Sequence, residues 1–381
     1  MSSTSTTAPA ARPGVPPQPN GAPGGRGARR PRLYVLDGLR LLAALAVVLY
    51  HYTGQDAQPT VWGGTAAHLM PRLHALTKYA WTGVELFFLI SGFVICMSCW
   101  GRPLGDFATS RITRLFPAYW FAVLATATAI FVARPSWAGR ILSGSYRNVI
   151  ANLTMTQGGL GGVHVDGVFW TLWVELRFYI LFGLLLIGGL TYRKVVAFCA
   201  GWTILSVYLV SADSPLLDTV FFPQYSSYFV AGVAMFLVHR FGPTLINLGL
   251  VGVSWALSAW HIWATVSRLT WLSLSYTRTL ALITVFYLVM LAVALGRFNR
   301  IQWKWLTTAG ALTYPLYLIH EYPGWILIHH FRRSMGPYAL VATVVAVMLV
   351  YAWLVHRLVE RPLAPLLKRG IERGLVDLRK H

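Results

Sequence analysis

Acidic residues are scarce in this chain. Twelve Asp and Glu stand against 32 Lys and Arg among 381 residues, and all charged types together make up 12%. Soluble domains carry about 25% charged residues, and 56% of this chain is apolar, which excludes an ordinary soluble protein and points to an integral membrane protein. Cysteine is nearly absent. Cys96, Cys99 and Cys199 all lie in apolar stretches, so neither a disulfide framework nor a metal site is expected, because buried cysteine behaves as a small hydrophobe. Cys96 and Cys99 have the C-x-x-C spacing but lack the βαβ context of a thioredoxin-like redox motif. The formal charge of +20 would suit nucleic acid if it lay on one soluble face. Here the Lys and Arg fall between apolar segments, so no nucleic-acid partner is expected.

Residues 1–31 are rich in Pro, Gly, Ser, Thr and Ala and contain no apolar run. They cannot bury enough surface to offset their ordering entropy and are expected to form a disordered cytoplasmic tail. No cleavable signal peptide is expected, since Arg26, Arg29, Arg30 and Arg32 lead straight into a full-length span. About ten spans follow, near 33–53, 80–99, 115–133, 168–190, 195–211, 221–239, 244–264, 278–296, 306–330 and 338–357. The fold class is thus an all-α polytopic membrane protein. An even count places both termini on one side. That side carries 21 Lys and Arg against nine on the other, with Arg40 and Arg177 inside spans. The positive-inside rule then puts both termini in the cytoplasm, for a multi-pass protein of the inner (plasma) membrane. The membrane domain runs over residues 32–363, followed by a basic C-terminal segment, 364–381, that either continues the last helix or lies on the anionic inner leaflet. One outer loop, residues 134–167, is long and glycine-rich, which suits a lid, an acceptor site or a plain connector.

Within the first span, LYVLDGLRLLAALAVVLYHY at 33–52, three costly side chains stand in lipid: Asp37, Arg40 and His51. Eleven steps of about 100° bring His51 to within about 20° of the azimuth of Arg40, some 16 Å further along the axis. One stripe therefore links a cation near the inner face to a titratable group well inside. A purely structural reading, an Arg snorkelling to the headgroups and a His bonded to a carbonyl, remains open at this point. The alternating topology places His51, Glu85, Glu175, Arg177, His320 and Glu321 at similar depth in the outer half. Charged groups in spans usually face one another or a wet cavity, so these six are expected to line one chamber, with carboxylates able to orient a histidine. Glu175 and Tyr179 share a helical face. On the inner side, RITRLFP places Arg111 and Arg114 three residues apart at the mouth of a span. Such a pair suits phosphate as well as simple positive-inside anchoring.

The chain resembles acyltransferase family 3, whose members include bacterial polysaccharide, nodulation-factor and macrolide acyltransferases. The resemblance runs from about residue 33 to 363 and rests on motifs in order. These are LDGLRLLAALAVVLYH at 36–51, with Arg40 and His51 in the family's Arg, ten residues, His pattern; GVELFFLISGF at 83–93; RITRLFP at 111–117; FWTLWVELRFY at 169–179; YFVAGV at 228–233; and YPLYLIH at 314–320 with ERP at 360–362. The resemblance implies transfer of an acyl group from cytosolic acyl-CoA to an acceptor hydroxyl, by a stand-alone transferase without a fused esterase-like domain. It carries function onto Arg40, His51, Arg111, Arg114 and Glu175.

The expected reaction is O-acylation of a sugar hydroxyl, either on a cell-envelope glycan or glycolipid or on a glycosylated metabolite such as a macrolide. Acyl-CoA enters from the cytoplasm, with its phosphates near Arg111 and Arg114. His51 is the expected general base, with Arg40 and Glu175 as the other catalytic residues; Glu175 or Glu85 orients the imidazole. Glu85, Arg177, Tyr179, His320 and Glu321 are expected on the substrate. No cofactor beyond the acyl-CoA co-substrate is expected. A covalent acyl-histidine remains open, and a proton-coupled transporter or flippase built on the same intramembrane groups is the rival from another class, although no inverted repeat is visible.

Overall fold

The computed structural model describes residues 33–55, 59–212 and 214–378. The tail expected over 1–31 and residues 379–381 lie outside the described residues. Among the described residues every regular element is helical, and nine helices are long and apolar enough to cross a bilayer. In chain order the main helices are α1 (Tyr34–Leu49), α2 (Gly83–Cys99), α3 (Leu104–Ala133), α4 (Gly139–Leu153), α5 (Phe169–Leu186), α6 (Tyr192–Ala212) and α7 (Pro223–Phe241). They continue with α8 (Leu245–Arg268), α9 (Tyr276–Ala294), α10 (Trp305–Ile319), α11 (Glu321–Phe331), α12 (Pro337–Val355) and α13 (Arg361–Leu378).

The centre of the bundle is the pair α2 and α7. Both are apolar all round, as a helix enclosed by other helices should be, and α7 is buried without interruption from Ser226 to Val238. Their backbones meet at Gly92 and Gly232. A Cβ on Gly92 would stand 3.1 Å from the Gly232 Cα and collide with the Phe229 carbonyl. Apolar side chains gain little from packing on each other in lipid, so small residues that let backbones touch are the usual adhesive there. Helix α1 lies against α2 on one side and α10 on the other, which places its polar stripe inside the protein.

Two features differ from expectation, and a third chooses between expected alternatives. The expected span 306–330 is two helices, α10 and α11, meeting at His320. Pro323 has no N–H to give to the carbonyl four residues back, and it disfavours helical backbone at the residue before it, which weakens the helix just past His320. The long loop 134–167 contains a helix, α4, whose end is tied to the bundle. Tyr119 donates to the Asn152 carbonyl at 2.7 Å, while Asn152 donates to the Val163 carbonyl at 2.8 Å and accepts from the Val165 amide at 3.0 Å. Those bonds hold the segment leading to Asp166. Of the two alternatives for the C-terminal segment, the structure has the continued helix: α12 passes through a π-turn, His356–Glu360, into α13.

Candidate active site

His51 does not sit in regular α-helix. Helix α1 ends in a π-turn, Tyr50–Gly54, closed by the Gln55 amide on the Tyr50 carbonyl at 2.8 Å. Single π-turns inside helices recur at functional sites, because the wider turn re-aims side chains and leaves carbonyls to be satisfied elsewhere. The Trp325 indole donates to the His51 carbonyl at 3.0 Å and the Trp62 indole to the Tyr52 carbonyl at 2.8 Å. The Tyr52 hydroxyl in turn donates to the His320 carbonyl at 2.7 Å. The π-turn of α1 and the break between α10 and α11 are thereby bound to each other.

These bonds bring two imidazoles together. His51 Nδ1 lies 3.0 Å from His320 Nε2, and His320 Nδ1 lies 2.8 Å from the Tyr317 carbonyl and 3.2 Å from that of Leu316. A carbonyl oxygen only accepts, so His320 Nδ1 must carry a hydrogen. For two neutral rings the rest follows. His320 Nε2 is bare and accepts from His51 Nδ1–H, which leaves His51 Nε2 as a free lone pair. That nitrogen faces Glu321 Oε1 at 3.8 Å, and the His51 side chain keeps 14% of its surface exposed, on the pocket.

Glu321 opens α11, where a carboxylate is favoured by the helix dipole. Its carboxyl lies beside that of Asp166. Asp166 is held by the amides of Val168 and Tyr322, each at 3.4 Å, and burial raises its carboxyl above the ordinary carboxylate range. Between them stands Gly167, where a Cβ would collide with the Glu321 carboxylate. Sequence reading missed Asp166 as a partner; its signal was a buried-type loop, V-D-G-V, directly ahead of a span.

A second pocket contains the arginines. Arg40, Arg111, Arg114, Ser91, Glu175 and Tyr179 line it, together with Gly310 and Tyr314. Glu175 accepts from the Ser91 hydroxyl at 2.6 Å and from the Tyr179 hydroxyl. Arg40 stands within electrostatic reach of Asp37, Glu175 and Arg114, and Asp37 packs against Gly310 of α10. Arg111 lies over the Phe107 and Tyr179 rings at 6.0 Å each, and its Nε is buried without a hydrogen-bond partner. A buried guanidinium N–H left open is uncommon and calls for an acceptor.

The single chamber expected from sequence is therefore two pockets. Val84 and Tyr317 line both. Glu85, Tyr50, Trp170 and Glu321 surround His51, whereas Glu175 and Tyr179 belong with the arginines, so the expected contact between Glu175 and His51 is not made. Its place is taken by His320. Glu85 lines the His51 pocket but is likewise not bonded to the imidazole. Arg177 departs furthest: it stacks on Trp173 and Phe222 at 5.1 and 4.8 Å and donates to the Trp173 and Thr219 carbonyls. Four residues beyond Trp173 on α5, it points away from the face that carries Glu175 and Tyr179. Among the described residues no group of His, Cys, Asp and Glu is arranged to hold a metal ion, and all three cysteines are buried.

A family model described as an acyltransferase domain, acyltransferase 3, matches residues 33–357. The chain belongs to this family. It is 25% identical over 385 residues to acyltransferase MdmB of Streptomyces mycarofaciens, an alignment that covers 89% of this chain and 93% of MdmB. No solved structure matches the chain. The protein is thus a multi-pass membrane acyltransferase, and the matched span takes in both pockets. Within this family member the hydrogen-bond order around His320 depends on backbone carbonyls set free by a helix break, which no residue pattern displays.

Proposed function

We propose that the protein is an acyl-CoA-dependent O-acyltransferase in which His51 Nε2 is the general base. The observation that carries this reading is the order of bonds from the Leu316 and Tyr317 carbonyls through His320 to His51, which leaves that one nitrogen bare in a pocket. The three arginines of the neighbouring pocket suit the phosphates of coenzyme A, with Arg111 Nε as an open donor. The pantetheine arm then passes Val84 and Tyr317 to bring the thioester to His51.

There an acceptor hydroxyl gives its proton to His51 Nε2 as its oxygen attacks the thioester carbonyl. The new Nε2–H points at Glu321, whose carboxylate offsets the imidazolium charge. Collapse of the tetrahedral intermediate breaks the C–S bond, leaves the ester on the acceptor and sends the proton to the departing sulfur. Base help of this kind contributes about 10²- to 10⁴-fold, and holding both substrates in line contributes much of the rest. The acceptor is a sugar hydroxyl of an envelope glycan, a glycolipid or a glycosylated macrolide-type metabolite. The excess of Lys and Arg on one side of the bundle supports a plasma-membrane protein with both termini in the cytoplasm.

In the test, His51→Ala is purified with unchanged helicity and coenzyme A binding, and acyl transfer is followed by release of free thiol. Transfer should fall by at least about 10²-fold. Retention of wild-type turnover in that variant overturns the assignment of the base.

A further inference from the structure

Glu175 does not reach His51, and one of its oxygens is left over. Oε1 takes two hydrogens, from the Ser91 and Tyr179 hydroxyls. Among the described residues Oε2 has no hydrogen-bond partner, and the side chain is only partly buried on the wall of the arginine pocket. The hydroxyls of that wall are already spent. Thr171 and Tyr317 bond to each other at 2.8 Å, while Thr313 donates to the Ala309 carbonyl and Tyr314 to the Leu115 carbonyl, each at 3.1 Å. Apart from the arginines, Glu175 Oε2 is the strong polar group on this wall that still seeks a partner, and a carboxylate oxygen only accepts.

Position says what would donate. Arg111 lies over the Tyr179 ring, so Tyr179 marks the level of the arginines, and Val168, eleven residues earlier in the chain, lines the His51 pocket. Eleven residues of helix rise about 16 Å, as between Arg40 and His51 on α1. That is close to the extended length of the pantetheine arm, which joins the diphosphate of coenzyme A to its sulfur. Tyr179, Glu175 and Thr171 follow at four-residue steps on one face of α5, so Glu175 stands about 6 Å along this path from the arginines. The pocket is narrow there, with a free volume of about 90 Å³ for the centre of a water-sized sphere. Over the roughly 10 Å from Tyr179 to Leu172, that is the bore of a single chain and not of a ring system. At the distance of Glu175 from the diphosphate, the arm carries its pantoyl segment, with a hydroxyl and an adjoining amide N–H as donors.

We propose that Glu175 binds the pantetheine arm of the acyl donor, its Oε2 accepting a hydrogen bond from the pantoyl segment. The arginines then hold the phosphate end, Glu175 the first third of the arm, and His51 meets the thioester at the far end. Glu175 thus belongs to binding and not to the chemistry. This rests on the acyl-CoA reading above and adds a residue that recognises the arm itself.

The test shortens the donor in steps. Acyl-CoA has phosphates, pantoyl segment and thioester; acyl-pantetheine lacks the phosphates, and acyl-N-acetylcysteamine lacks the pantoyl segment as well. Each is assayed for kcat/KM with the wild-type protein and with Glu175→Gln. In that variant Ser91 and Tyr179 claim the amide oxygen, so an NH2 group replaces the open oxygen and faces the donors of the arm. For acyl-CoA and acyl-pantetheine kcat/KM should fall about tenfold or more, as expected for a hydrogen bond to a charged group, and for acyl-N-acetylcysteamine it should stay unchanged, which also shows that the variant is folded. Arg111→Ala should lower it for acyl-CoA alone. Inhibition of acyl-CoA transfer by the three free thiols gives the same comparison through their Ki values. An equal fall with all three donors would put Glu175 in the chemistry, a fall with acyl-CoA alone would make it a counter-charge for the arginines, and no fall would leave it without a role; each overturns the proposal. Glu175→Asp keeps the charge but withdraws the oxygen by one methylene, so it should show the pattern of Glu175→Gln, and wild-type rates there overturn the proposal as well. Failure of the wild-type protein to transfer from acyl-CoA sinks the acyl-CoA reading itself, whereas a wrong pattern in active protein sinks only the role of Glu175.

Discussion

The two pockets on either side of Tyr317 use charged residues in opposite ways. In the arginine pocket, charge is plentiful and only partly neutralised. On its wall Arg40, Arg111 and Arg114 stand with Glu175, whose oxygen is occupied by Ser91 and Tyr179, while Asp37 and Glu360 lie within electrostatic reach of Arg40 and Arg114 from outside the wall. Such a pocket lacks an anion, and almost any polyanion with two phosphates would gain by entering it. In the His51 pocket nothing is held by net charge. Its order comes from donors and acceptors: two carbonyls fix one ring, and that ring fixes the other. The first arrangement supplies affinity with loose geometry, and the second supplies geometry that a single wrong hydrogen would spoil.

This contrast predicts graded losses. The largest is that of His51→Ala described above. Next is His320→Leu, which leaves His51 Nδ1–H without an acceptor and frees the ring to take the wrong tautomer. Acyl transfer should drop about 10²-fold or more with acyl-CoA KM unchanged; in a serine hydrolase, losing the tautomer-setting partner costs about 10⁴-fold. His320→Gln presents a carbonyl oxygen near the same place and should recover part of the rate. Equal loss in both variants would mean that His320 only fills space.

The arginine pocket should respond in binding rather than turnover. Arg111→Ala and Arg114→Ala should each raise the acyl-CoA KM about tenfold or more, since hydrogen bonds to charged groups are worth about 1.5–3 kcal/mol. The saturating rate should stay within about threefold. A fall in the saturating rate at constant KM would move these residues from holding the donor to positioning the reaction. The smallest effect belongs to Arg177→Ala, whose guanidinium is spent on Trp173, Phe222 and the Thr219 carbonyl. Acyl-CoA KM should be unchanged there, and any loss should appear in the acceptor KM. A loss as large as that of His320→Leu would return Arg177 to the His51 pocket.

Much of the arrangement was legible because membrane sequences obey few and strong rules. The bilayer makes every ionisable residue in a span expensive, and so Arg40, His51, Glu85, Glu175, His320 and Glu321 stood out without any structure. The pair Arg111 and Arg114 was visible from spacing alone. Depth was legible too, and it misled at Glu175: residues at one depth are not residues in one pocket, because azimuth decides which side of Tyr317 a side chain reaches. Arg177, two residues along α5 from Glu175, is the plainest case. Asp166 could be placed only in the long loop, not beside Glu321, and Trp325 escaped notice, because loop residues and span aromatics carry no such penalty.

The sequence by itself determined that this chain crosses a membrane many times, where its cations lie and which costly side chains must be inside. Composition, hydropathy and the Arg, ten residues, His spacing carry that information locally, residue by residue. Only the tertiary structure decided which of those groups touch. The π-turn at Tyr50–Gly54 and the break at His320 release backbone carbonyls and turn two imidazoles toward each other across 269 positions of chain. A hydrogen bond needs both direction and distance within a few tenths of an ångström, and neither is fixed before the helices have packed.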